Sequence, residues 1–190
     1  MLVAPRTAST RDRLLTAAAH LFYREGITAT GVEKLCAAAG VSKRSMYQLF
    51  ATKEDLVAAS LAHAGPETHQ LFLPDAAADL APRERILHVF EVLESLAGTT
   101  GFVGCRFVNA ATELRDPSHP ASAVARDFKQ RLTDWFAAQA RAAGAADPDL
   151  LAQQLTIVFD GSAARAVMFG KGLDGVAVTT AAALVDAALA

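Results

Sequence analysis

Between Val41 and Phe50 the chain reads VSKRSMYQLF. The cations Lys43 and Arg44 are followed by Ser45, Tyr47 and Gln48, with no acid in the run. Wound as a helix of about 3.6 residues per turn, the stretch puts Ser42, Met46, Leu49 and Phe50 on one side. Arg44 and Gln48 lie opposite, flanked by Ser45 and Tyr47, with Lys43 at the edge. A guanidinium donates a forked pair to guanine O6 and N7, and a primary amide pairs with adenine N6 and N7. Tyr and Lys side chains reach phosphates. A face that merely meets water more often alternates Glu and Lys four residues apart. The types and spacing therefore point to base reading by Lys43, Arg44, Ser45 and Gln48, with Ser42 and Tyr47 on the backbone.

Such a face needs a scaffold to aim it. The preceding run GVEKLCAAAG predicts a helix opened by a Thr30/Glu33 capping box and closed at Gly40, a residue able to take the left-handed turn. Val32, Leu35, Ala39, Val41, Met46, Leu49 and Phe50 are the apolar positions of this pair, and small Cys36 sits where a neighbouring helix must come close. A short turn between two such helices has the arithmetic of a helix-turn-helix, whose second helix enters the DNA major groove. Upstream, Ser9 and Asp12 predict a cap for a first helix over about Arg11–Arg24, with Leu14, Leu15, Ala18, Leu21 and Phe22 as its stripe and Gly26 as its stop. Thr52 and Asp55 cap a fourth helix running towards Ala64.

The segment Gly26–Ser60, GITATGVEKLCAAAGVSKRSMYQLFATKEDLVAAS, resembles the DNA-binding head of the tetracycline-repressor (TetR) family of bacterial transcriptional regulators. The likeness extends back through RDRLLTAAAHLFYREG, covering about residues 10–60. It rests on Gly26, Thr30, Gly40-Val41-Ser42, Tyr47, Phe50 and the TKEDL run. Leu49 replaces a common aromatic, and Arg44-Ser45 replaces a frequent Gly/Pro-Ser/Thr pair, which leaves the base preference open. The resemblance implies a homodimer on a palindromic double-stranded operator, and a helical C-terminal part that dimerises and binds a small, mainly apolar inducer. It also directs attention to Thr30, whose hydroxyl and following amides could hold a phosphate, and to Lys53, placed to clamp a second.

The bulk composition agrees. Over half of the 190 residues are apolar, enough for a real core. The net charge of −2 is unevenly spread: residues 1–56 carry eight cations against five anions, and the rest ten against fifteen. A basic head on an acidic body confines polyanion binding to the head. Cys36 and Cys105 lack CxxC spacing and read as reduced and buried, which fits a cytoplasmic protein. The N-terminus has no signal-peptide pattern. The longest charge-free runs are 11 residues, against about 18–20 needed to span a membrane.

The expected fold is all-α with about nine helices: a helix-turn-helix domain over 1–52, and a helical ligand-binding and dimerisation domain over 53–190. Residues 65–81 read as a loosened connection, with an extension of the fourth helix into it as the alternative. Further helices are predicted over Pro82–Ala97, Cys105–Leu114, Pro120–Ala143, Pro148–Phe169 and Val176–Leu189. Leu151, Leu155, Val158 and Ser162, near heptad spacing, pair with Val178, Ala181 and Val185 as the expected dimer seam; the competing reading buries them in their own subunit. His88, Phe102, Phe107, Asn109, Phe128, Trp135 and Phe159 are the candidate pocket residues. Asn109 and Glu113 put polar groups on an apolar helix, as a capped turn or a ligand handle. Asp160 is expected in an ion pair with Arg165 or another cation. Cys105 with His119 lacks a third orienting group for nucleophilic catalysis, and Glu113, Asp116 and His119 read as helix stops rather than metal ligands. No cofactor, metal or catalysis is expected. The alternative to a ligand-released repressor is a DNA-binding regulator controlled by a protein partner or insensitive to ligand.

Overall fold

The computed structural model describes residues 9–190, and among them the chain forms nine α-helices and no strand. Three short helices come first: α1 (Thr10–Glu25), α2 (Val32–Ala39) and α3 (Lys43–Leu49). The long α4 (Lys53–Phe72) leads into α5 (Pro82–Ala97), α6 (Arg106–Leu114), α7 (Pro120–Ala143), α8 (Pro148–Phe169) and α9 (Val176–Leu189). The reading of the extreme N-terminus, Arg6 included, falls on residues outside those described.

Most of the predicted helix starts are made by the side chains that signal them. Ser9 accepts from the Asp12 amide at 3.1 Å, and Asp12 accepts from the Ser9 amide at 3.3 Å. Thr52 and Asp55 make the same reciprocal pair at 3.0 and 3.1 Å. Ser42 accepts from the Ser45 amide at 3.0 Å. Gly40 closes α2 in the left-handed conformation, φ 64 and ψ 42. Caps of this kind are worth about 1 kcal/mol each, and here they fix where the turn falls.

The exception is α2. Its N-cap is Gly31, without a side-chain bond. Thr30 is fully buried, and its hydroxyl donates to the Gly26 carbonyl at 2.6 Å. The Thr30/Glu33 capping box is not made, because the Thr30 hydroxyl is committed to the α1–α2 turn and Glu33 pairs with Lys43. α4 takes the longer of its two expected courses: it continues through Pro66 to Phe72, so the connection shrinks to residues 73–81. Gly65 is buried against α7, where an added Cβ would stand 3.7 Å from the Phe128 ring.

Apolar residues gather in three clusters. The head cluster joins Leu14, Leu15, Ala18, Leu35, Cys36, Met46 and Phe50 with Leu56 of α4. The body cluster centres on Phe90, Phe136, Leu151, Leu155 and Val185. A third, with Ile27, Val57, Leu61, Phe107, Ala110 and Phe128, lies where head meets body.

The expected dimer seam proves to be this core. Leu151, Leu155, Ala181 and Val185 are buried within the subunit, and Val158 and Val178 pack against the same cluster. Ser162 is half-buried. The reason is that α8 packs against α7, α5 and α9 of its own chain, and its most regular apolar stripe faces them. The apolar stripe left outside is a different one: Ile157 is 72% exposed and Met168 77%, with Leu150, Val167 and Phe169 beside them and Val176 on α9.

Candidate nucleic-acid interface and effector cavity

α3 is held from behind by Met46, fully buried, and by Phe50, over whose ring the Arg11 guanidinium sits at 5.5 Å. Arg13 Nε donates to the Ala39 carbonyl at 3.3 Å, tying α1 to the last turn of α2. Arg44, Tyr47 and Gln48 are exposed, and Ser45 is half-buried. α3 carries no acid. The outward face thus holds the guanidinium, phenol and amide expected of it.

Two assignments, those of Leu49 and Thr30, need revising, and two lysines already have partners. Leu49 is 41% exposed rather than packed inward. The contact of α3 with its neighbours is centred between Met46 and Phe50, and Leu49 stands at its edge, beside the polar face. Lys43 is ion-paired with Glu33 across the turn. That hydrogen bond raises the pKa of Lys43 and lowers that of Glu33; being exposed, the pair contributes little and yields readily to a phosphate. The Thr30 hydroxyl cannot meet a phosphate, because it is buried and already donating. Lys53 is engaged as well: its ammonium donates to the Ile27 carbonyl at 2.7 Å.

The α1–α2 turn is where head and body are bonded. Glu113 on α6 accepts from the Ile27 amide at 2.9 Å and the Thr28 amide at 2.7 Å. Burial pushes the Glu113 carboxyl up, but those bonds and the charge of Lys53 outweigh it, and the group lies below the ordinary carboxylate value. Of the two sequence readings of Glu113, the cap is the one made. One turn away on α1, the Arg24 guanidinium donates to the Gly101 carbonyl at 2.7 Å, and the Tyr23 hydroxyl donates to Gly104 at 3.1 Å. Tyr23 also accepts from the Val103 amide at 3.3 Å. Gly101 has φ 94, and a Cβ there would fall 2.0 Å from the Arg24 guanidinium. Only glycine lets the two approach.

Tyr23, Gly101 and Gly104 help to wall a cavity of about 270 Å³. α4 contributes His69 and Phe72, α5 Leu93 and Leu96, α7 Phe128 and α8 Phe159; residues 99–106 close one side. Of the predicted pocket residues, Phe102, Phe128 and Phe159 line it. Phe107 is buried behind Phe128, rings stacked 3.6 Å apart. Trp135 packs edge-on to Phe136 in the body core. Asn109 turns its amide to the Val103 carbonyl at 2.6 Å and lines smaller hollows than the cavity, while His88 lines none of them. Sequence reasoning missed Tyr23, His69 and Arg106. Tyr23 and His69 lie on helices assigned to the head or not followed past Ala64.

The remaining candidates are structural. Asp160 pairs with Lys129, not Arg165, and Lys129 also sits 4.7 Å from the Phe159 ring centre. His119 Nδ1 accepts from the Ala121 amide at 3.0 Å and caps α7. Asp116 accepts from the Ser118 amide at 2.8 Å. Glu113, Asp116 and His119 are thus each spent on a separate turn. Cys36 is buried, whereas Cys105 is only half-buried, at the first turn of α6 and against the cavity; neither forms a disulfide. Among the described residues no helix is long and apolar enough to cross a membrane.

This arrangement recurs in known proteins. Residues 14–60 match the model of bacterial regulatory proteins of the tetR family. Over 166 residues the chain is 30% identical to a helix-turn-helix transcriptional repressor of Mycobacterium tuberculosis, covering 80% of this chain and 86% of that one. The crystal structure of a tetR-type transcriptional regulator from Streptomyces avermitilis superposes with a TM-score of 0.91 at 52% identity, over 95% of this chain and 98% of that one. A TetR-family regulator from Streptomyces coelicolor gives a TM-score of 0.81 at 27% identity, over 95% and 94% of the two chains.

Proposed function

The chain belongs to the TetR family of bacterial transcriptional regulators, and from that premise we propose that it is a homodimeric repressor which leaves a palindromic operator when a small, mainly apolar effector enters the body. It regulates transcription and is not an enzyme. The observation that carries the DNA-reading half is the outward face of α3, with Arg44, Tyr47 and Gln48 exposed over a helix without acids. Arg44, Ser45 and Gln48 read base edges, and Leu49 at the edge of that face suits a thymine methyl. Ser42, Tyr47 and, once released from Glu33, Lys43 meet the backbone. The exposed amides at the start of α2, rather than the Thr30 hydroxyl, are the phosphate donors there.

Residues 1–52 serve as the reading unit and 53–190 as the sensing and pairing unit, in a protein working in the cytoplasm. Pairing uses the outer stripe of α8, Ile157, Ala164 and Met168 among others, against its symmetry mate, with Val176, Thr180 and Ala183 of α9 alongside. A patch of this kind left open on a monomer marks an interface. Two heads held by one rigid pair of bodies reach two half-sites together, and a change in their separation costs that joint binding.

The switch follows from the bonds at the head–body junction. An effector in the cavity touches α4 and the 99–106 segment at once. Displacing that segment pulls on Tyr23 and Arg24 of α1, and shifting α6 pulls on the α1–α2 turn through Glu113. A ligand that moves the equilibrium from mostly bound to mostly released must prefer the released form by about 5.5 kcal/mol. Selection of bound DNA from a random pool tests the reading half: a two-fold symmetric site is expected, and asymmetric or unselective recovery overturns it. The sensing half is tested by operator complexes challenged with a small-molecule panel; complexes indifferent to every cavity-binding compound would favour control by a protein partner.

A further inference from the structure

One residue of the cavity wall, His69, carries a polar atom without a use. His69 Nε2 is buried and has no hydrogen-bond partner. The ring is not loose: it stacks on Phe128 with centroids 4.3 Å apart, and Phe128 stacks in turn on Phe107 at 3.6 Å. A buried nitrogen held in place without a partner is an anomaly that a bound group would remove.

We infer that the effector carries a hydroxyl on an apolar, ring-shaped body, and that His69 Nε2 is the atom that recognises the hydroxyl; this rests on the cavity being the effector site. Two other hydroxyls of the wall are already occupied. Tyr23 both donates and accepts, and the Thr68 hydroxyl donates to the Ala64 carbonyl at 2.8 Å. No carboxylate lines the cavity, and its one formally charged group is Arg106, whose guanidinium lies 4.9 Å from the Tyr23 ring centre. An ammonium ligand would therefore meet a like charge and no counter-charge. Burial, with the charge of Arg131 added, lowers the His69 pKa, so the imidazole is neutral at neutral pH. A neutral imidazole nitrogen accepts or donates according to tautomer, and a hydroxyl satisfies either. The Phe72, Phe102, Phe128 and Phe159 side chains supply walls for a flat apolar body. The volume is near the lower limit of ligand cavities, about 300–1,000 Å³, which sets the size of the guest.

The test titrates full-length protein with 2-naphthol and with 2-methylnaphthalene, its near-isostere. Apolar burial alone favours the methyl compound. Recognition by His69 reverses that order, with 2-naphthol binding about tenfold tighter, equivalent to about 1.4 kcal/mol. The preference is lost in His69→Phe and kept in His69→Gln, whose amide still donates and accepts. In the unaltered protein the nitrogen resonance of His69 Nε2 moves with 2-naphthol and stays with 2-methylnaphthalene, a readout that does not depend on any variant folding. Equal binding of the two probes, a preference that survives His69→Phe, or an unmoved nitrogen resonance overturns the hydroxyl recognition and leaves the cavity as effector site. Binding of neither probe overturns both.

Discussion

The head and the body carry their functions in opposite shapes. The head's function is a convex face of seven helical residues, Lys43–Leu49, held by one cap, one left-handed glycine and two buried side chains. The body's function is a concavity, walled by residues of six helices and a loop that lie far apart in sequence. A convex face can be specified locally, because the groups that act and those that anchor them alternate along one short stretch. A hole is specified only by everything around it. The junction combines the two: a single carboxylate, Glu113, reaches from the body to two amides of the head's turn across some 85 positions of sequence.

The largest effect that would break the comparison concerns pairing. If the body only positions two heads, Ile157→Asp with Met168→Asp should split the dimer without unfolding the subunit, since both side chains are exposed. Operator affinity is expected to fall by about 10²–10⁴-fold, the range lost when two linked contacts become independent. Light scattering gives the mass and an operator titration the affinity. A double variant that stays dimeric would show that the outer stripe of α8 is not the seam.

Next comes the reading face itself. Arg44→Ala should cost about 1–3 kcal/mol on the preferred operator and relax selection at one base pair. Equal weakening on all sequences would make Arg44 a phosphate contact. Smaller again is the scaffold effect. Gly40→Ala forces a side chain into the left-handed region at φ 64, with open space around the added carbon, so the penalty is backbone strain alone, about 1–2 kcal/mol. Thermal unfolding should show it; an unchanged melting temperature would mean the turn relaxes to another conformation.

These differences track what could be read from the chain. Ser9, Ser42, Thr52 and Gly40 each announce a helix end within three or four residues of where it acts, and the ends they mark fall within a residue or two of expectation. Thr30 misled because its partner, the Gly26 carbonyl, competes with an equally plausible cap at α2. The seam on α8 misled for a deeper reason. Leu151 and Leu155 are regular enough to suit an interface or a core, and periodicity gives the face of a helix without saying what covers it. His69 was invisible because Gly65 and Pro66 look like a loosening of the chain, whereas α4 runs on through both, with Gly65 buried against α7.

Glu113 offers the finest test, since it is, beside Tyr23 and Arg24, a polar group through which the concave region could speak to the convex one. Its carboxyl is held below the ordinary value of 4.5 by the Ile27 and Thr28 amides. A depressed carboxylate contributes its stability above that ordinary value and loses it as pH falls through the lowered folded-state value. The latch is therefore intact at neutral pH and is released in acid. Glu113→Gln keeps the shape but not the charge, so the acid-side loss of head stability attributable to this group should disappear from the melting profile. Operator affinity without effector should change little, because the Glu113 carboxyl bonds the α1–α2 turn rather than α3. The effector's power to release the operator should weaken by about 0.5–2 kcal/mol, the range seen when a residue between two coupled sites is altered. Were affinity to drop and effector response to stay constant, Glu113 would be a fastening for the head alone, and the message from cavity to groove would have to travel through α4 and the Tyr23 and Arg24 contacts instead.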